Sequence, residues 1–165
     1  MPDEIILVDE NDREIGTKEK MEVHRKGLLH RCFSILLYNS KGEMMLQRRA
    51  AGKYHCGGLW TNVCCSHPRP GEDVISAGKR RLKEEMGIKC GLKEVFSFTY
   101  RAEFANGLTE HEFDHVLVGK FDGEPKINPE EADGWRWIGI AELRKEIQNS
   151  PEKFTPWFGM ILDKI

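Results

Sequence analysis

Apolar residues come in short runs separated by polar and glycine-rich turns, which predicts a strand-rich fold with few helices. Ile5-Ile6-Leu7-Val8 reads as a short strand, and Asn11 to Gly16 as a turn and return. Thr17 is placed to cap a polar helical segment, Lys18 to Val23, that delivers His24. After Gly27 the run His30 to Tyr38 predicts a mostly buried strand, and Asn39-Ser40-Lys41-Gly42 a hairpin turn into Glu43 to Arg48. Arg49 to Leu59 reads as loop. So does Trp60-Thr61-Asn62-Val63-Cys64-Cys65-Ser66-His67-Pro68, a loop built to hold reactive groups.

The longest helical pattern starts at Asp73 and stops at Gly87, a residue suited to the left-handed end of a helix. Val95 to Tyr100, aromatic and β-branched, predicts a strand. Asn106-Gly107 closes a hairpin, and His111 to Phe121 returns as its partner. Trp135 to Ile138 is a further short strand, and Ile140 to Gln148 a helix. Ser150-Pro151 and Thr155-Pro156 each resemble a cap followed by a first-turn proline, so two short helices finish the chain. The expected architecture is α/β of the α+β kind, a mixed β-sheet flanked by helices on both sides, with residues 1–165 as a single catalytic domain.

Composition narrows the functions. With 39% hydrophobic and 32% charged residues the chain reads as a globular protein, and a net charge of -2 offers no electrostatic footprint for nucleic acid. No apolar run reaches the roughly 18 residues of a membrane span. Met1 to Glu10 is acidic, unlike a signal or transit peptide. Five cysteines, an odd number, fit reduced thiols in a cytoplasm. The expected partner is a small molecule, with neither nucleic acid nor membrane; a monomer is compatible with the sequence.

Chemistry concentrates in three places: the Cys64-Cys65-Ser66-His67 stretch, the helix bearing Arg80-Arg81-Leu82-Lys83-Glu84-Glu85, and Glu110-His111-Glu112. If the last is a strand, alternation puts both glutamates on one face and His111 on the other. On the helix, Arg81 and Glu85 lie one turn apart, so one can hold a diphosphate oxygen and the other a hard cation. Glu72, Arg80, Leu82, Glu84, Glu85, Gly87 and Ile88 match the spacing of the Nudix signature, with Ser66 in place of its first glycine and Arg81 in place of a glutamate. Losing that carboxylate should weaken hydrolysis while keeping affinity for a diphosphate.

With the Cys-Ser-His-Pro loop, Tyr100-Arg101-Ala102 and the Glu-any-Glu pair added, the chain closely resembles the type 1 isopentenyl diphosphate isomerases from about Thr17 to Trp157. That resemblance implies a Nudix-like fold and interconversion of isopentenyl and dimethylallyl diphosphates. By position it makes Cys65 and Glu112 the catalytic pair, Tyr100 the tyrosine beside the carboxylate, and Trp157 the cover of the hydrocarbon tail. It implies His24, His30, His67, Glu110 and Glu112 as ligands of one divalent metal. Glu85 becomes the ligand of a magnesium bound with the diphosphate, and Lys20, Arg49, Lys53 and Arg81 the diphosphate contacts.

The chemistry agrees. Isomerising an unactivated alkene means protonating carbon, so an acid and a base must face each other across a dry site. Three imidazoles with two carboxylates suit manganese, or zinc or iron in its place, better than magnesium. The blander readings make Cys32, Cys64 and Cys90 small core residues, and His55, His111 and His115 surface or hydrogen-bonded histidines. Alternatives are a structural zinc site on Cys56, Cys64, Cys65 and His67, a nucleotide pyrophosphohydrolase, and a non-catalytic metal-binding module.

Overall fold

In the computed structural model, which describes residues 3–53 and 55–165, the chain begins β1 (Glu4–Val8), β2 (Glu14–Glu19), α1 (Lys20–Lys26), β3 (His30–Tyr38) and β4 (Met44–Arg49). Two short strands follow, β5 (Trp60–Asn62) and β6 (Cys64–Ser66), then α2 (Val74–Met86). A long hairpin, β7 (Lys93–Glu103) and β8 (Thr109–Lys120), precedes β9 (Ala132–Ile138). The chain closes with α3 (Ile140–Asn149), a 3-10 turn at Pro151–Lys153 and α4 (Pro156–Leu162). Among the described residues no helix is long and apolar enough to cross a membrane.

All strands join one mixed sheet with β3 as its hub. β3 runs parallel to β8 from His30↔Glu112 to Tyr38↔Lys120, and antiparallel to β1, β4 and β6. β7 extends the sheet beyond β8, while β5 and β9 pair with β4. β3 is apolar nearly throughout because both of its faces are covered. On one face Phe33, Ile35 and Leu37 pack against Ala77, Leu82 and Met86 of α2. On the other, Leu36 and Val116 pack against Leu143 of α3 and Trp157, Phe158 and Ile161 of α4. Wholly buried side chains such as Phe33 and Phe158 each contribute about 1.5–3 kcal/mol. The expected mixed sheet with helices on both sides is what forms.

α2 has the predicted ends. The Asp73 carboxylate accepts the Ser76 backbone N–H at 2.8 Å, and Gly87 ends the helix at φ +65°. A Cβ at Gly87 would also lie 2.8 Å from Lys126 Cβ and 3.0 Å from Lys126 O, so both backbone and space demand glycine.

Three local expectations are corrected. Thr17 caps nothing: it pairs with Ile6 inside β2, and α1 begins later, with the Glu19 carboxylate accepting from Met21 N at 3.0 Å and Glu22 N at 3.1 Å. Trp60 to Ser66 is two strands rather than loop, because β4 and β3 offer open edges for them to pair with. Ser150 and Thr155 make no side-chain caps; Thr155 Oγ1 instead meets Thr61 Oγ1 at 2.7 Å, tying α4 to β5, and Pro151–Lys153 forms only a 3-10 turn.

Candidate active site

Strand alternation sorts the chemistry. Residues directly opposite on paired strands share a face, so the register His30↔Glu112, Cys32↔Asp114 and Ser34↔Cys65 lines them up on one side of the sheet. Glu110 and Tyr100 fall on the same side, Tyr100 opposite Glu112 on β7. Neighbouring residues go the other way: His111 turns to the Gly27 carbonyl at 3.2 Å. Cys64 packs beneath α2 and donates its thiol to Glu85 Oε2 at 3.1 Å. Because Cys64 and Cys65 face opposite sides, the alternative zinc site on Cys56, Cys64, Cys65 and His67 is not assembled.

At the start of β3 four ligand atoms converge. One atom each from His24, His30, His67 and Glu110 lies within 4.8 Å of every other. His24 is 2.5 Å from Glu110 Oε1 through Nε2, and Glu112 Oε2 stands 3.3 Å from His30 Nε2 and 3.2 Å from His67 Nε2. His24 Nδ1 bonds the Lys20 carbonyl at 2.7 Å and His30 Nδ1 the Leu28 carbonyl at 2.9 Å. A carbonyl only accepts, so both Nδ1 atoms carry hydrogen and both Nε2 atoms are presented inward as ligands. The buried Nε2 atoms of His30 and His67 find no hydrogen-bond geometry inside the cluster. Imidazole lone pairs and carboxylates pressed together out of water are stabilised by a cation held between them. The donor set therefore fits a divalent metal, its mixed nitrogen and oxygen character favouring a transition ion.

Charge states follow from burial and neighbours. Burial alone would raise the pKa of Glu112, but the His30 and His67 rings beside it hold it well below the usual carboxylate range. Burial also opposes protonation of His30, yet the adjacent Glu112 outweighs it and raises that pKa. His67 goes the other way, lowered to about 4 by burial, with the charge of His30 adding to it. The Tyr100 hydroxyl donates to Glu112 Oε1. Burial pushes the Cys65 thiol far up, so its sulfur keeps a proton. That thiol faces Asn62 Oδ1 at 3.0 Å and Ser34 Oγ at 3.4 Å. Asn62 is locked in this pose, because its amide N–H groups bond the carbonyls of Ile35 at 3.0 Å and Cys64 at 2.9 Å.

Beside His67 opens a cavity of about 540 Å³ that brings together Lys20, Lys53 and Arg81, with Glu131 among them. Glu131 accepts from Lys53 at 2.5 Å and stands 3.2 Å from Arg81. Burial, with the neighbouring Lys53 charge second, lowers the pKa of Lys20, against the opposing pull of Asp3 and Glu131. Arg49 is not part of this lining. It is buried, stacked over Trp157 at 5.6 Å, with Nε donating to the His55 carbonyl at 3.3 Å. Glu85 likewise sits apart from the histidine cluster, on the α2 face, held by Gln47 at 3.2 Å and Arg81 at 3.2 Å. Trp157, 3% exposed, packs its ring 5.6 Å from His55.

Two buried groups join the site beyond those the sequence assigned to it. His55, expected among surface or hydrogen-bonded histidines, is buried with Nε2 at 2.6 Å from Glu110 Oε1. It lies in an irregular loop, where no periodicity flags it. Asp114, wholly buried and accepting from Ser34 Oγ at 2.7 Å, continues the every-second-residue series of Glu110 and Glu112 and could have been found from it.

Comparison with known proteins gives a consistent picture. Residues 28–158 match the NUDIX domain family. The chain is 53% identical over 165 residues to isopentenyl-diphosphate Delta-isomerase 2 of Aromatoleum aromaticum, covering all of this chain and 87% of that one. It is 52% identical to isopentenyl-diphosphate Delta-isomerase of Serratia proteamaculans, covering 98% and 90%. Among solved structures, a Deinococcus radiodurans protein superposes with a TM-score of 0.82 at 18% identity over 98% of both chains. The MutT protein of Methanosarcina mazei superposes at 0.68 and 18% identity, over 82% of this chain and 91% of that one; these two likenesses bear on the fold alone.

Proposed function

The chain belongs to the NUDIX domain family and, within it, to the isopentenyl-diphosphate Delta-isomerases, and we propose that it interconverts isopentenyl and dimethylallyl diphosphate through Cys65 and Glu112. The observation that carries this reading is the flanking of β3. β6 lies on one side of it with the Cys65 thiol, β8 on the other with the Glu112 carboxylate, and both project to the same face. A proton delivered to one face of the alkene and removed from the other moves the double bond by one position. Since the reaction is reversible, each group is acid in one direction and base in the other. Tyr100, bonded to Glu112, orients that carboxylate. Trp157 covers the five-carbon tail, where an indole face favours the developing cation over the neutral alkene. The diphosphate binds in the cationic cavity on Lys20, Lys53 and Arg81. Arg49, stacked over Trp157, lies outside the lining of that cavity.

His24, His30, His67, Glu110 and Glu112 would hold one divalent transition ion, manganese, or zinc or iron in its place. When bound, such an ion neutralises the two buried carboxylates and sets the acidity of the groups around it. Magnesium would enter with the diphosphate, with Glu85 as its protein ligand. The five cysteines are free thiols, which supports a reducing, cytoplasmic setting.

The test is incubation with isopentenyl diphosphate in deuterium oxide. The expected result is deuterium in the dimethylallyl product and no release of phosphate or pyrophosphate. Turnover of a nucleoside triphosphate or dinucleotide polyphosphate faster than isomerisation would overturn the reading in favour of a pyrophosphohydrolase.

A further inference from the structure

His55 joins the two halves of the site. Its Nε2 lies 2.6 Å from Glu110 Oε1, the oxygen that also meets His24 Nε2 at 2.5 Å. Its Nδ1 faces Arg49 Nη2 at 3.4 Å. A guanidinium can only donate, so His55 Nδ1 accepts and the ring hydrogen sits on Nε2, aimed at Glu110. The backbone at His55 is held by its carbonyl, which accepts from Arg49 Nε at 3.3 Å, and the ring packs against Phe104 and Trp157 with centroids 5.0 and 5.6 Å away. The side chain is 3% exposed, so water does not compete for these bonds.

We infer that His55 is a positioning residue of the metal site: it donates from Nε2 to Glu110 and holds that carboxylate in its ligating pose, with Arg49 selecting the tautomer that can do so. The inference rests on the metal reading above and extends it by a residue outside the cluster of ligand atoms. Partners of this kind that hold a ligating side chain typically change metal affinity by about 10–100-fold when removed. It also gives Arg49 a task in this chain distinct from diphosphate binding.

The test is Mn2+ binding to the full-length, metal-stripped chain, read by electron paramagnetic resonance of the free ion. His55→Ala is expected to bind about 10–100-fold more weakly than wild type. His55→Gln, whose amide nitrogen occupies the place of Nε2, is expected to recover most of that loss. His55→Asn, whose amide nitrogen reaches only the place of Nδ1, is not. Urea unfolding of the Gln and Asn variants separates a packing loss, which lowers stability, from a donor loss, which lowers Mn2+ affinity, so the pair decides the matter even if the alanine variant fails to fold. Equal affinity in wild type and His55→Ala, or in the Gln and Asn variants, would overturn the inference. A wild-type chain with no Mn2+ site would instead remove the metal reading on which it stands.

Discussion

Asp114 offers a test of the buried polar face that does not depend on catalysis. Its carboxyl is wholly buried on β8, accepting a hydrogen bond from Ser34 Oγ at 2.7 Å. Burial, with the nearby Glu112 charge second, raises its pKa well above the usual aspartate range, and the bonds from Ser34 and Cys32 offset only part of this. The native carboxyl therefore keeps its proton after the unfolded one, at about 3.9, has lost it. A raised native pKa contributes stability that is fully present below the unfolded pKa and lost as pH rises through the native one. Each pH unit in that interval removes about 1.4 kcal/mol. Asp114→Asn keeps an oxygen for the Ser34 hydroxyl and has no proton to lose. Urea unfolding of both proteins should be measured from pH 5 to 8, with metal chelated so that ligand protonation does not add its own slope. Wild-type stability relative to Asp114→Asn should fall steadily with rising pH, leaving the variant the more stable protein at neutrality. Parallel curves for the two would refute the reasoning, since titrations shared by both cancel in the difference.

Two further outcomes are expected. Cys65→Ala should lose on the order of 10²-fold or more in turnover with little change in stability, whereas Cys64→Ala, which strips a donor from buried Glu85, should keep most activity and lose about 1 kcal/mol in urea unfolding; equal loss of turnover in both would undo the assignment. Trp157→Leu should weaken a cationic ammonium-bearing diphosphate by roughly tenfold while moving isopentenyl diphosphate much less, as read by inhibition and KM, and equal weakening of both would reduce Trp157 to packing.

Much of this molecule is legible without coordinates, wherever the information is local. α2 is bounded by Asp73 and Gly87, residues whose own bonding and backbone preferences start and stop a helix, and both act where the sequence places them. A period of two along β8 puts Glu110 and Glu112 on one side and His111 on the other. The helix signature and the Cys-Ser-His-Pro stretch carry the chain's resemblance to the isomerase family. Tertiary structure decided what depends on partners distant in the chain. Trp60 to Ser66 is extended only because β3 and β4 present edges to it, and Thr155 binds Thr61 instead of capping its own helix. Thr17 is held in β2 by Ile6. Arg49 stacks over Trp157 instead of lining the cavity that Lys20, Lys53 and Arg81 share, and His55 turns from a loop onto Glu110, fifty-five positions away. Such contacts carry no periodicity. Side chains in irregular loops are oriented by whichever buried donor or acceptor lacks a partner when the sheet has closed, and that is known only once the fold exists.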